Sequence, residues 1–191
     1  MNISQPDETH SNSSEENLKR LSAGSVLLSQ EALHDPNFES TVVLICVHNR
    51  EGTYGLVLNR ISHMPLGEIF DGLNGLPLSR EVFIGGPVRQ DELQILQLTD
   101  TPVEEAYQMA PGYYLGGRWD DFAQMIESNP ETVKFFLGYS GWSANQLEGE
   151  VAAGAWDVYS VDLDQLFTHT DKLTTGPVSR IAEFLRSISH S

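Results

Sequence analysis

One run of residues restricts the fold more than any other: Thr41-Val42-Val43-Leu44-Ile45-Cys46-Val47, seven residues without a charge and mostly β-branched. β-Branched side chains lose little freedom on a pleated strand, and a strand exposed on one face would alternate apolar with polar. This run does not alternate, so it predicts a strand buried on both faces, inside a sheet covered from two sides. His48-Asn49-Arg50-Glu51-Gly52 reads as a turn, and Tyr54 to Asn59 returns as a second strand, giving a hairpin with a connection of about five residues.

Around that hairpin the chain shows no regular strand–helix alternation and no internal repeat. Short strands are expected at Gly24–Leu28, Val82–Ile84, Leu93–Leu98, Tyr113–Leu115, Val133–Leu137 and Ala155–Val161. Helices are expected at Trp119–Ser128, where Phe122, Met125 and Ile126 form an apolar stripe, at Trp142–Ala153, and at Pro177–Ser187. Asp162 caps a single turn, Leu163–Phe167. A short helix is expected at Leu66–Asp71 and a loop at Gly72–Ser79, while Thr99–Ala110 reads as irregular. Strands gathered early and helices gathered late favour an α+β domain over a doubly wound parallel sheet. Residues 1–17 are rich in Ser, Asn, Asp and Glu and read as a disordered acidic tail. Residues 18–191 then make one domain, a length that can bury a substantial core.

Charge narrows the function. The chain has 27 acidic and 11 basic residues, a net charge of −16. From Gln90 to Asp171 the only cations are Arg118 and Lys134, against fifteen Asp and Glu. Nucleic-acid affinity comes largely from neutralising phosphates with Lys and Arg, so nucleic acid is disfavoured as a partner, and anionic membranes for the same reason. No apolar run reaches the ~20 residues of a membrane span. No secretory signal is visible at the N-terminus, and a soluble cytoplasmic protein is expected. Cys46 is the only cysteine, which excludes an intramolecular disulfide and a cysteine-based zinc site; inside its apolar run it reads as a buried, inert thiol.

The densest concentration of chemistry is Leu137-Gly138-Tyr139-Ser140-Gly141-Trp142-Ser143-Ala144-Asn145-Gln146-Leu147-Glu148-Gly149-Glu150. It reads as strand, glycine-dependent turn and short helix. On that helix Gln146 and Glu150 are four apart and share a face, whereas Glu148 points to roughly the opposite side. The two carboxylates therefore cannot hold one metal together unless the helix breaks. Leu147 and Val151, with Ala144, form the expected buried seam, and Trp142 and Trp156 read as core anchors. No histidine stands at metal-ligand spacing, and Gly138-Tyr139-Ser140-Gly141 lacks the spacing of a serine-nucleophile turn, so neither a metal nor a cofactor is expected. Gly85-Gly86-Pro87-Val88 lacks the Lys and Ser/Thr of a phosphate loop and reads as a sharp turn. Gly116-Gly117 before a helix, with Arg118 beside it, could hold an anion, but Asp120 and Asp121 already occupy that positive end.

Cys46-Val47-His48-Asn49, Gly52 and Gly55-Leu56-Val57-Leu58-Asn59 resemble the hairpin signature of the AlgH/YqgE family of bacterial proteins. Gly85-Gly86-Pro87-Val88 resembles its second block. Leu137 to Trp142, Gln146-Leu147-Glu148, Glu150 and Ala155-Trp156 resemble its third, and Gly24 through Asp35-Pro36 its leader. The departures are the acidic tail and Ile61, where a proline often stands. The resemblance implies a single α+β domain with a curved, barrel-like mixed β-sheet and flanking helices. Members often carry the label of transcriptional regulators of alginate production, but the resemblance brings no catalytic residue, metal or cofactor with it.

Three functional readings follow. The first is a domain that binds a small molecule or a protein partner, with an indirect regulatory role and a site formed by His48, Asn49, Gly85, Gly86, Trp142, Gln146 and Glu150. The motivation is that polar and glycine-rich turns at strand ends present groups on a rigid scaffold. The second is an enzyme that uses His48 with Glu148 or Glu150. The third is a DNA-binding regulator, which the charge opposes.

Overall fold

A computed structural model of the chain describes residues 8–31, 33–69 and 80–190. Its strands are β1 (Val26–Ser29), β2 (Val42–Asn49), β3 (Gly52–Val57), β4 (Val82–Ile84), β5 (Val88–Leu98), β6 (Tyr107–Ala110), β7 (Tyr113–Leu115), β8 (Val133–Ser143) and β9 (Trp156–Tyr159). Its helices are α1 (Glu8–Arg20), α2 (Leu66–Ile69), α3 (Trp119–Ser128), α4 (Gln146–Ala152), α5 (Leu163–Thr168), α6 (Asp171–Thr174) and α7 (Val178–Ser187). The strands form one mixed sheet in the order β6-β7-β5-β8-β3-β2-β1-β9, with β4 added alongside β8. The β4–β8 pairing is parallel and the others are antiparallel.

The sheet turns about β8. Its first half, Val133–Leu137, pairs with β5 and β4, and its second half, Ser140–Ser143, pairs with β3. Gly138 stands at the change of partner with φ 65°, and a Cβ there would lie 2.7 Å from the Val88 carbonyl oxygen. Only glycine tolerates both the left-handed backbone and that approach. The bend brings the far edges toward each other: a Cβ on Gly24, just before β1, would stand 4.0 Å from the Cβ of Ala110 in β6. No described ladder joins β6 to β9, so the sheet is curled but open, and the barrel-like closure implied by the family resemblance is not confirmed.

Three apolar clusters follow from this shape. The concave cluster contains Val42, Leu44 and Cys46 from β2, Phe136 from β8 and Tyr113 from β7, roofed by Leu166, Phe167, Ile181, Phe184 and Leu185 of α5 and α7. On the other face, Val43 and Ile45 of β2 meet Trp142, Trp156 and the α4 residues Leu147 and Val151. The third places Phe122 and Ile126 of α3 on Val133, Phe135 and Leu137 of β8. The alternate residues of β2 thus enter two cores, as its unbroken apolar run requires.

Several expectations are corrected. The hairpin turn is only Arg50-Glu51, because pairing extends to Asn49↔Gly52. Strand β6 occupies part of the span read as irregular. Trp142 lies on β8 instead of beginning a helix, and α4 starts four residues later, at Gln146. Of the helix expected at Leu66–Asp71, Leu66–Ile69 is present, and the loop at Gly72–Ser79 lies outside the described residues. Within the span read as a disordered tail, α1 runs from Glu8, and residues 1–7 lie outside the described residues. The helix docks because β9 is an edge strand: the Asn17 side chain accepts from the Val158 N–H at 3.2 Å, while Leu18 and Leu21 pack on the second cluster.

Candidate functional site

The joint between β8 and α4 is built around one carboxylate. Asn145 takes the left-handed conformation, φ 62°, which its short polar side chain tolerates, and turns the chain off the strand. The Gln146 side-chain oxygen then accepts from the Ser143 N–H and hydroxyl at 3.0 and 3.1 Å. The Gln146 amide donates to Glu150 Oε1 at 3.2 Å, along the i, i+4 face anticipated from helical spacing. Glu150 Oε2 accepts from the indole N–H of Trp142 at 3.0 Å and of Trp156 at 2.8 Å. Leu147 and Val151 are fully buried beneath, but Ala144 is exposed on the turn and belongs to no seam. Glu150 thus accepts three donors from both sides of the joint and works as a structural anchor.

Glu148 faces the other way, toward β2. Its Oε1 lies 3.6 Å from His48 Nε2, and His48 Nδ1 lies 2.7 Å from Thr53 Oγ1. Thr53, on β3, is the cross-strand neighbour of His48 on β2 and of Trp142 on β8, so the sheet register itself assembles this row. The side chains of His48 and Glu148 retain 17% and 34% of their exposure, enough for solvent or a ligand to reach the pair. A histidine held at one nitrogen and facing a carboxylate at the other can bind a polar group or relay a proton.

The other expected site residues divide. Asn49 caps the hairpin turn, its side chain accepting from the Glu51 N–H at 2.8 Å. Gly85 and Gly86 are buried against β8: a Cβ on Gly86 would meet the Tyr139 carbonyl at 2.3 Å, and the Gly85 carbonyl accepts from Val57 N–H and the Ser140 hydroxyl. Their neighbours are Gly138, Tyr139, Ser140, Leu56 and Phe136, which puts both glycines in the sheet junction and not on the surface around His48. Arg118 is committed to Asp121 and Glu104, and a Cβ on Gly117 would sit 2.3 Å from Val103, so this turn reads as structural and not as an anion cradle. Cys46 is fully buried, and burial pushes its thiol far above the ordinary range, in keeping with an inert side chain.

Sequence reasoning missed Thr53, because the expected five-residue turn placed His48 in the connection, whereas the observed register sets it opposite Thr53. It also missed a cleft of about 530 Å3 on the concave side, lined in part by Tyr113, Lys134, Asp164 and Phe167. The lone cation inside the apolar run Val133–Leu137 was the available signal. Among the described residues no cluster of three or more His, Cys, Asp or Glu side chains could hold a metal, and no helix is long and apolar enough to cross a membrane.

Comparison with known proteins places these features in context. The sequence model of the AlgH-like family matches residues 26–182, which span the whole sheet. A UPF0301 protein of Chlorobaculum tepidum is 35% identical over 151 residues, covering 78% of this chain and 80% of that protein. A UPF0301 protein of Myxococcus xanthus is 38% identical over 143 residues, covering 73% and 78%. The solution structure of the AlgH protein from Pseudomonas aeruginosa superposes with a TM-score of 0.65 at 29% identity, over 87% of this chain and 85% of that one.

Proposed function

The chain belongs to the AlgH-like family, and from that premise we propose that it is a cytoplasmic binding domain that takes a small polar ligand beside His48 and acts in regulation indirectly. One observation carries the reading: His48, oriented by Thr53, presents Nε2 toward Glu148 at 3.6 Å on a joint made rigid by the Glu150 hub. Polar groups held on a rigid scaffold and open to solvent are what recognition of a polar ligand needs.

The experiment is a thermal-shift screen of polar metabolites against the wild-type chain, His48→Ala and Glu148→Gln. Ligand at about 100 times its Kd stabilises by roughly 2.7 kcal/mol, which raises Tm by several degrees for a domain of this size. Hits should lose their shift in both variants. A screen without hits, or hits indifferent to both substitutions, would discard the reading.

The same 3.6 Å separation favours a second reading, in which His48 and Glu148 move a proton on the bound molecule. Mass analysis of each hit before and after incubation separates the two, since a binding domain returns its ligand unchanged. Direct DNA binding is disfavoured by the net charge of −16. Arg20, Arg80, Arg89 and Arg118 are each paired with a carboxylate of the chain itself. A flat electrophoretic titration at low salt is the expected result.

A further inference from the structure

A second site lies away from His48, on the concave side of the sheet. Along the first half of β8, Val133, Phe135 and Leu137 enter the α3 cluster and Phe136 enters the concave core. Side chains alternate along a strand, so Lys134 shares the concave side with Phe136. It projects into a cleft of about 530 Å3 whose apolar walls include Leu98, Pro111, Tyr113 and Phe167. Its Nζ stands 5.9 Å from the centre of the Phe167 ring, which stacks at 5.7 Å on Tyr113.

Although Asp100, Glu131 and Asp164 line the same cleft, Lys134 makes no ion pair and no side-chain hydrogen bond among the described residues. Those carboxylates are engaged or distant: Glu131 pairs with Arg80 at 3.5 Å, and Asp164 accepts the hydroxyl of Tyr113. Burial holds the ammonium below the ordinary lysine range. Arg80 acts in the same direction, while Glu131 and Glu81 oppose it. A lysine desolvated against apolar walls and left unpaired offers a free lone pair more often than a solvated one.

We propose that Lys134 is a nucleophilic amine that condenses with a small uncharged aldehyde or ketone entering this cleft. The amine nitrogen attacks the carbonyl carbon. The C=O π pair moves onto oxygen, which takes up a proton, and the nitrogen loses one, leaving a neutral carbinolamine. Loss of water from this adduct, with the second N–H proton, gives the imine: R–NH2 + O=CR′2 → R–N=CR′2 + H2O. No oxidant or reductant is needed. The Tyr113 hydroxyl spends its one proton on Asp164, so the proton for the departing oxygen comes from water, which the open cleft admits. The acidic rim disfavours an anionic oxo acid, and the apolar walls favour an aliphatic or aromatic body.

The chain carries three lysines, Lys19, Lys134 and Lys172, which makes the test internally controlled. Lys172 also lies over an aromatic ring, 5.1 Å from the centre of Phe184, and so controls for that feature. The folded wild-type protein is treated with benzaldehyde and cyanoborohydride, which traps the imine as a benzylamine, and labelling at each lysine is followed by peptide mass spectrometry. Lys134 should label several-fold faster than the other two at neutral pH, because burial in the cleft leaves more of its amine unprotonated. Its rate should also level off at a lower pH than theirs, and glyoxylate should lose the preference. Labelling of Lys134 no faster than Lys19 and Lys172, or equal preference for benzaldehyde and glyoxylate, overturns the proposal. Because no substitution is required, a folding defect cannot imitate either result.

Discussion

The indole N–H groups of Trp142 and Trp156 converge on a single oxygen of Glu150, at 3.0 and 2.8 Å, while their rings meet edge to face at 6.1 Å. One tryptophan ends the long strand β8 and the other opens the edge strand β9, so this carboxylate fastens two distant parts of the sheet to α4. Trp156 is fully buried and Trp142 retains only 5% of its exposure, so neither indole can turn to bulk water for an acceptor.

Replacing Glu150 should therefore be expensive. Glu150→Leu leaves two indole donors without acceptors, and each unsatisfied buried group costs about 1–3 kcal/mol. A total loss of roughly 2–6 kcal/mol is expected on that basis, read as a lower urea midpoint at unchanged m-value. Glu150→Gln keeps one acceptor oxygen but loses the charge assistance, and should cost about half as much. Equal stability of Glu150→Leu and wild type would mean that the hub contributes nothing.

Two glycines of the same stretch should respond oppositely to alanine. At Gly138 the new Cβ would press on the Val88 and Gly86 carbonyl oxygens at 2.7 and 2.8 Å, with φ 65° as a further penalty. Gly138→Ala should lose upward of ~1–3 kcal/mol, because the obstruction is backbone and cannot swing aside. Gly149 lies inside α4, exposed, with nothing within 4 Å of the added methyl. Gly149→Ala should gain about 0.5–1 kcal/mol, from helix propensity alone. Denaturant melts of the pair check both signs.

Thr53→Val tests how His48 is held. The substitution keeps the β-branched shape at a buried strand position and removes the Oγ1 that lies 2.7 Å from His48 Nδ1. A stability loss of about 0.5–1.5 kcal/mol is expected, the usual net value of one hydrogen bond. The His48 ring nitrogens should shift in nitrogen-15 spectra as the tautomer preference relaxes. Unchanged ring shifts would mean that Thr53 does not orient the histidine.

Alkaline stability should follow the buried phenols. Burial raises Tyr54 and Tyr113 well above the ordinary tyrosine value of 10.0, with the Asp164 bond adding to the effect at Tyr113. The folded chain then keeps protons that the unfolded chain releases, so their contribution is intact below 10.0 and is lost as pH rises beyond it. Each group contributes a slope of about 1.4 kcal/mol per pH unit in that window. Lys134 acts with the opposite sign. Its lowered folded value means that the unfolded chain holds the extra proton, so stability rises with pH up to the ordinary lysine value of 10.5. Urea midpoints measured across this range should climb slightly and then fall, and Tyr113→Phe should soften the fall.

Much of this was legible from local pattern. The β2 run predicts burial on both faces, and the structure divides its side chains between two cores. The stripe on α3 and the amphipathic face of α7 follow from period, and the separation of Glu148 from Glu150 follows from two residues of helix. The errors fell where long-range pairing overrides local preference. Gly138 and Gly141 look like breaks, yet β8 runs through both because β5 and β3 hydrogen-bond to its two halves. The same pairing keeps Trp142 on the strand and leaves Ala144 exposed on the turn that follows.

By itself the sequence determined the family signature, the double-sided strand, the acidic balance and the face on which each helical side chain points. All of these depend on residue type and on spacing within one element. Only the tertiary structure decided that Glu150 serves two indoles, that His48 meets Glu148 across Thr53, and that Lys134 stands unpaired over Phe167. Periodicity fixes the direction of a side chain within its own element. Contact between elements far apart in the chain depends on the bend at Gly138 and on the register of β8 with its neighbours, which arise only when the whole core closes.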